Sequence, residues 1–178
     1  LPPDVTGVIH KRRHIFLGRW MKHGVYPVKL LRLFRHGAAR CEQRHMDEHM
    51  ELSRGRAVEF EHDFVDENLN GLGWWAHKHV DYSARELADL EDILSSAAAD
   101  SGINGQAERK RAMKERYARQ PLFWRSFAYF CYRYFLKLGF LDGREGFLWH
   151  FMQGWWYRTL VDARQFEKQK KGSGKTAR

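Results

Sequence analysis

The apolar residues of this 178-residue chain change period once, near residue 70, and that change limits the folds open to it. Before it, residues 5–20 and 28–34 are β-prone and are punctuated by Gly18, Gly24 and Gly37. Leu30, Leu31, Leu33 and Phe34 form a mostly apolar run broken by Arg32, the pattern of a strand covered on both faces. Residues 57–65 alternate imperfectly and give a third candidate strand. Residues 1 to about 68 therefore predict part of a mixed sheet. From Leu72 onward the period is helical, with Leu87, Leu90, Ile93 and Leu94 on one face and a stop at Ser101-Gly102. Residues 102–106 read as a loop and 107–119 as a charged helix or linker. Pro121 fits the first turn of a helix running to about Leu138. Gly139 and Asp142-Gly143 make a turn, and a last helix is expected over 145–165. No internal repeat is visible.

Composition enters through charge. A net charge of +9 admits nucleic acid, anionic lipid or a phosphorylated substrate as partner. The basic residues recur at Lys11-Arg12-Arg13, at Arg109-Lys110-Arg111, in the C-terminal third and in the tail. The tail, 168–178, combines Lys168, Lys170, Lys171 and Lys175 with Gly172, Ser173 and Gly174 and reads as disordered. No RNP, KH, zinc-finger or helix-turn-helix pattern accompanies the charge, so nucleic acid is not expected. Cys41 and Cys131 match no metal or redox spacing, and a reducing compartment is the default. The opening Leu1-Pro2-Pro3-Asp4 has neither Met nor a signal-peptide pattern, as in a fragment or trimmed chain. No run of 18 uncharged apolar residues exists, so a membrane span is not expected.

The two C-terminal helices are crowded with aromatic residues. Phe123, Trp124, Phe127, Tyr129, Phe130, Tyr132, Tyr134 and Phe135 fall on the first, with Arg125, Arg133 and Lys137 projecting within about a third of its circumference. Phe147, Leu148, Phe151, Met152, Trp155, Trp156 and Leu160 cover more than half of the second. Such helices suit a membrane–water interface, and equally a hairpin packed on the protein's own core or on a second subunit.

Order and spacing carry a resemblance. Phe16-Leu17-Gly18-Arg19-Trp20 precedes a turn at Gly24-Val25-Tyr26-Pro27 and a strand at Leu31-Arg32-Leu33-Phe34-Arg35. Met46-Asp47-Glu48-His49 follows, then Glu67-Asn68-Leu69-Asn70-Gly71-Leu72 leading to Trp74-Trp75 and Lys78-His79. Lys137-Leu138-Gly139-Phe140-Leu141-Asp142-Gly143 comes last. This series resembles the acceptor half of the family-2, inverting glycosyltransferases of bacterial polysaccharide and lipopolysaccharide-core assembly. The resemblance implies an α/β fold: the C-terminal half of a GT-A mixed sheet over 1–71, then a helical extension over 72–167, a candidate for the membrane interface, and the basic tail over 168–178.

It also implies a nucleotide-sugar donor, a saccharide or lipid-linked acceptor, and a place on the inner face of the cell membrane near anionic lipid. An acceptor hydroxyl must lose its proton as it attacks the anomeric carbon, and a carboxylate is the simplest base. Glu48 and then Asp47 stand where the family places that base. Neighbours on a strand point to opposite faces, so one of the pair is expected to face the acceptor. Arg32, Arg35 and Arg19 are the cationic candidates for phosphate or substrate contact. Asp66 occupies a position where many relatives carry histidine; it is a candidate ligand for Mg²⁺ or Mn²⁺, with Glu67 a supporting acid. The main divalent-cation site of the family, an Asp-x-Asp in the N-terminal half, has no counterpart here. Trp74 and Trp75, with His77 and His79, offer either a sugar-stacking platform or core anchors.

Two rival readings remain. His45-Met46-Asp47-Glu48-His49 matches H-x-x-E-H, which on a helix would bind zinc through the histidines and activate water through Glu48. The high pI with interleaved aromatics also fits a non-enzymatic membrane-surface module.

Overall fold

The structure, a computed structural model, describes residues 1–42, 49–96, 113 and 115–173. The chain forms a mixed α/β molecule of two compact units. One comprises Leu1–Leu69 and Tyr132–His150, the other Asn70–Cys131 and Phe151–Arg178. The helical extension expected over 72–167 is thus divided, because residues 132–150 fold with the sheet.

The spine of the sheet unit is β1 (Val5–Phe16). It turns back at Leu17-Gly18 into β2 (Arg19–Trp20), with Phe16 opposite Arg19. Both turn residues have positive φ, the twist that a two-residue hairpin needs, and Gly18 adopts it without steric cost. β3 (Val28–Phe34) also lies antiparallel to β1, from Arg12↔Val28 to Gly7↔Phe34. β4 (Ala39–Cys41) and β5 (Met50–Leu52) form a separate antiparallel pair. β6 (Arg56–Glu59) and β7 (Phe64–Glu67) both run parallel to β1. The sheet is therefore mixed.

Two strand expectations need correction. β3 is not covered on both faces: Leu33 is 57% exposed, and Phe34 and Arg32 are exposed too. The single strand expected over 57–65 is two. β1 advances from Ile9 to Arg12 while its partner runs from Glu59 to Phe64, so the surplus residues leave the ladder between β6 and β7. Within this unit Val5, Val8, Phe16, Met21, Ala38 and Trp149 are buried, and the Trp149 ring lies 5.2 Å from Phe16 and 4.1 Å from His14.

The helical unit holds α1 (Leu72–Ser96), a helical turn at 115–118 and α2 (Trp124–Cys131). α2 runs into a π-helical turn, Tyr132–Leu136, and a 3₁₀ turn, Gly139–Asp142. α3 (Gly143–Trp149) follows, then a π-helical stretch, His150–Trp156, and α4 (Tyr157–Ser173). Both passages between units along this stretch of chain coincide with a change from α to π winding. Pro121 is not in the first turn of α2, because Phe123 adopts a left-handed φ of 67° and the helix starts only at Trp124. α4 continues to Ser173, so the first residues of the tail expected to be disordered are helical. Leu90, Ala118, Tyr157 and Val161 form the core of this unit, flanked by Tyr82, Leu87, Leu94 and Trp156.

The basic stripe expected on the first aromatic helix is overturned at two of its three positions. Arg125 is buried and clasped by Asp162, with Nη2 at 2.6 Å from Oδ1, and it also donates to the Ala118 carbonyl and to Gln165. Arg133 is buried in the sheet unit and donates through Nε to the Gly24 carbonyl at 2.9 Å. Lys137 is exposed as expected.

Candidate functional site

The candidate base residues Asp47 and Glu48 lie outside the described residues, as does His45. The residues on either side are placed: β4 and β5 pair, and the Glu42 N–H donates to the His49 carbonyl at 2.9 Å. His49 is thus hydrogen-bonded across a β pair and is not helical, so the helical setting that the zinc reading requires is not met at that end of the motif.

The other candidates are dispersed. Arg35 donates through Nε to the Val5 carbonyl at 3.0 Å, which ties down the start of β1 rather than facing a substrate. Arg32 sits with its guanidinium 5.7 Å from the Phe64 ring centre. Asp66 is not built as a metal ligand. Arg12 lies 3.5 Å and His14 Nδ1 3.6 Å from its Oδ2. His14, then Arg12 and Arg32, hold this carboxyl below its ordinary range against the opposing effect of burial. A carboxylate already matched by cations offers a divalent ion little net charge, and no group of three or more potential ligands occurs among the described residues. Trp75 is 6% exposed, stacks on His79 at 3.5 Å and is a core anchor, so it cannot form a sugar platform. Trp74 is 46% exposed, with the Lys78 ammonium 4.9 Å over its ring.

Arg19 is placed differently. It borders an open hollow of about 380 Å³ in the sheet unit, lined also by Gly18, Trp20, Lys22, His23, Leu141 and Asp142. That volume lies in the range of small-ligand sites. β2 supplies Arg19 and Trp20, the following turn supplies Lys22 and His23, and the 3₁₀ turn supplies Leu141 and Asp142.

At its base Asp142, 2% exposed, accepts two hydrogen bonds from one residue. Oδ2 takes the backbone N–H of His23 at 2.8 Å, and Oδ1 takes its Nδ1 at 2.7 Å. A carboxylate only accepts, so Nδ1 carries the proton and Nε2 is the ring nitrogen left for another partner. The His23 side chain is 37% exposed.

Beneath this pair lies His150, 0% exposed, whose Nε2 is 3.2 Å from the His23 carbonyl oxygen. Burial first, and the Arg133 charge second, push its pKa down to about 4. The imidazole fits because residue 139 is glycine: a Cβ there would come within 2.3 Å of His150 Nε2. Gly143, at φ 72°, turns the chain out of the 3₁₀ segment, and a Cβ there would meet Arg19 Nη1 at 3.0 Å. Arg19 is also 3.6 Å from Glu145.

The sequence reading missed His23, Asp142 and His150. The turns at Gly24-Val25-Tyr26-Pro27 and Asp142-Gly143 were legible, but nothing in either says that His23 and Asp142 meet across 119 positions.

The helical unit has a buried polar cluster of its own. Arg158 lies between the rings of Tyr117 and Tyr129, at 5.2 and 4.1 Å, beside the Arg125–Asp162 pair. The void lined by Glu86, Leu90, Tyr117, Arg158, Val161 and Asp162 measures about 10 Å³, room for a single water at most. This cluster is structural. No protein-family model matches the chain, and neither the curated proteins nor the solved structures compared with it contain a match.

Proposed function

We propose that the chain is the acceptor-side portion of an inverting, GT-A-type glycosyltransferase. It moves a sugar from a nucleotide-sugar to a saccharide or lipid-linked acceptor of cell-surface polysaccharide, at the inner face of the membrane. The observation that supports this reading is convergence. Residues 16–20 and 137–143, two separate segments of the family resemblance, line one hollow, and a third, residues 24–27, packs beside the first. His23, in the link between residues 20 and 24, is hydrogen-bonded to Asp142, Arg133 holds Gly24, and the Trp20 and Tyr26 rings meet edge to face at 5.4 Å.

In this reading the acceptor hydroxyl attacks the anomeric carbon from the face opposite the nucleotide diphosphate. Glu48, or Asp47, takes the hydroxyl proton as the new C–O bond forms and the bond to the diphosphate breaks. Arg19 contacts the substrate from the wall of the hollow. Mg²⁺ or Mn²⁺ serves the leaving diphosphate in the resembling enzymes; the described acids of this chain do not fit such an ion, and no step here is assigned to one.

The test is Glu48→Gln and Asp47→Asn in the enzyme containing this chain. One of the two should lower transfer by about 10²-fold or more, with nucleotide-sugar binding unchanged by calorimetry. Full transfer by both variants would remove the reading.

A membrane-surface location has its own support. Phe135, Leu136, Leu138, Phe140, Leu141 and Phe147 are all exposed within one short stretch of the sheet unit, with Lys137 and Arg144 exposed among them. Exposed aromatic and aliphatic side chains interleaved with cations match an anionic lipid surface. No helix among the described residues is long and apolar enough to cross a membrane.

A further inference from the structure

We propose that the hollow beside β2 is a phosphoryl-binding site, with Arg19, Lys22 and Nε2 of His23 as its ligands and Asp142 as the residue that positions His23. The proposal stands independently of the transfer reading, since binding is measured without turnover.

The lining carries three potential cations or donors, Arg19, Lys22 and His23, against one carboxylate. That carboxylate is buried, and each of its oxygens already accepts from His23 at 2.7 or 2.8 Å. Asp142 therefore does not face an incoming anion. It holds the imidazole in one orientation, with Nδ1 on the carboxylate and Nε2 turned away from it; Nε2 donates to an anion in the doubly protonated ring. Among the described residues no hydrogen bond satisfies Nε2 of His23.

Among the described residues Arg19 has a loose, partly exposed partner in Glu145 at 3.6 Å, which a phosphoryl oxygen can replace with a shorter charge-assisted bond. Lys22 rests with its ammonium 4.8 Å from the centre of the Trp20 ring, so its charge stays by the wall of the hollow. The volume and the walls of Trp20 and Leu141 fit a phosphate ester or diphosphate of an organic molecule. Such a group arrives either on a free metabolite or on a lipid headgroup.

The experiment uses the full chain at low ionic strength. One arm titrates inorganic pyrophosphate by calorimetry. The other compares co-sedimentation with phosphatidic acid vesicles and with phosphatidylglycerol vesicles. Saturable pyrophosphate binding assigns the free source; no pyrophosphate binding with a preference for phosphatidic acid assigns the headgroup. In whichever arm binds, Arg19→Ala/Lys22→Ala should weaken binding by about tenfold or more, and His23→Gln by several-fold.

Arg19 and Lys22 are exposed, so their double variant is expected to keep the fold, checked by circular dichroism and Tm. A control, Lys29→Ala/Arg40→Ala, removes the same charge from exposed positions outside the hollow and should leave the site's binding within twofold. No saturable binding in either arm overturns the proposal. So does binding undiminished by the Arg19/Lys22 variant, or an equal loss in the control.

Discussion

His150 is walled in by Gly139, by the His23 carbonyl and by Arg133, and it remains neutral because its charged form has no water and faces a cation. Its folded pKa of about 4 lies below the unfolded value of 6.5, which fixes the sign of a pH effect. Above pH 6.5 both states are neutral and the stability is fully present. Between 6.5 and 4 the unfolded chain binds a proton that the native state refuses, so stability falls on acidification, with a slope of at most about 1.4 kcal/mol per pH unit. Below 4 the loss is complete. His150→Gln should therefore be less stable than the parent at pH 7, and that difference should narrow through this window in urea titrations. A pH-independent difference would show that the imidazole does not titrate there. Gly139→Ala should cost about 1–3 kcal/mol by the same measurement, since its Cβ would collide with His150 and with the Arg133 carbonyl oxygen at 2.9 Å.

At the scale of elements, a buried ion pair joins α2 and α4 within the helical unit. Asp162 receives Arg125 through Nε at 2.7 Å and the Phe123 N–H at 2.8 Å. Arg125→Met leaves that carboxylate buried without its counter-charge and should cost about 3–5 kcal/mol. Arg125→Met/Asp162→Leu should recover most of this, less the roughly 1–3 kcal/mol cost of the Phe123 N–H left unpaired. Thermal unfolding of the two variants measures the difference, and equal losses would refute the account. Removing residues 168–178 should leave Tm nearly unchanged, because among the described residues Lys168 and Lys171 make exposed, solvent-screened pairs with Glu91 and Glu167. The start of α1 at Leu72, the hairpin glycine at Gly18 and the turn at Gly139–Asp142 were legible because each depends on local chemistry. The burial of Arg125 was not: a wheel shows that an arginine shares a face with aromatics, and only the partner helix shows that Asp162 receives it. The exposure of β3 was hidden for the same reason, since an apolar run does not say what covers it.

At the scale of the molecule, the sequence nominated Arg19, which borders the hollow, but not the residues that build its floor, because His23 and Asp142 come from the two chain segments of a unit that is discontinuous in sequence. The same discontinuity puts the exposed apolar stretch around Phe135–Phe147 on the sheet unit rather than on a separate appendage. In the proposed membrane-surface reading, the net charge of +9 acts together with that stretch. Each cation near an anionic leaflet contributes about 1 kcal/mol and is screened by salt, whereas apolar burial contributes about 25 cal/mol per Å² and is not. The chain should therefore co-sediment with phosphatidylglycerol vesicles at about 50 mM salt and far less at about 500 mM, where the Debye length is only a few ångströms. Phe135→Ser/Leu136→Ser/Phe140→Ser should reduce binding at both salt concentrations, and Lys137→Ala/Arg144→Ala chiefly at the lower one. All five side chains are exposed, so circular dichroism should show both variants folded. If the serine variant binds like the parent, lipid contact is electrostatic only and the apolar stretch faces another partner.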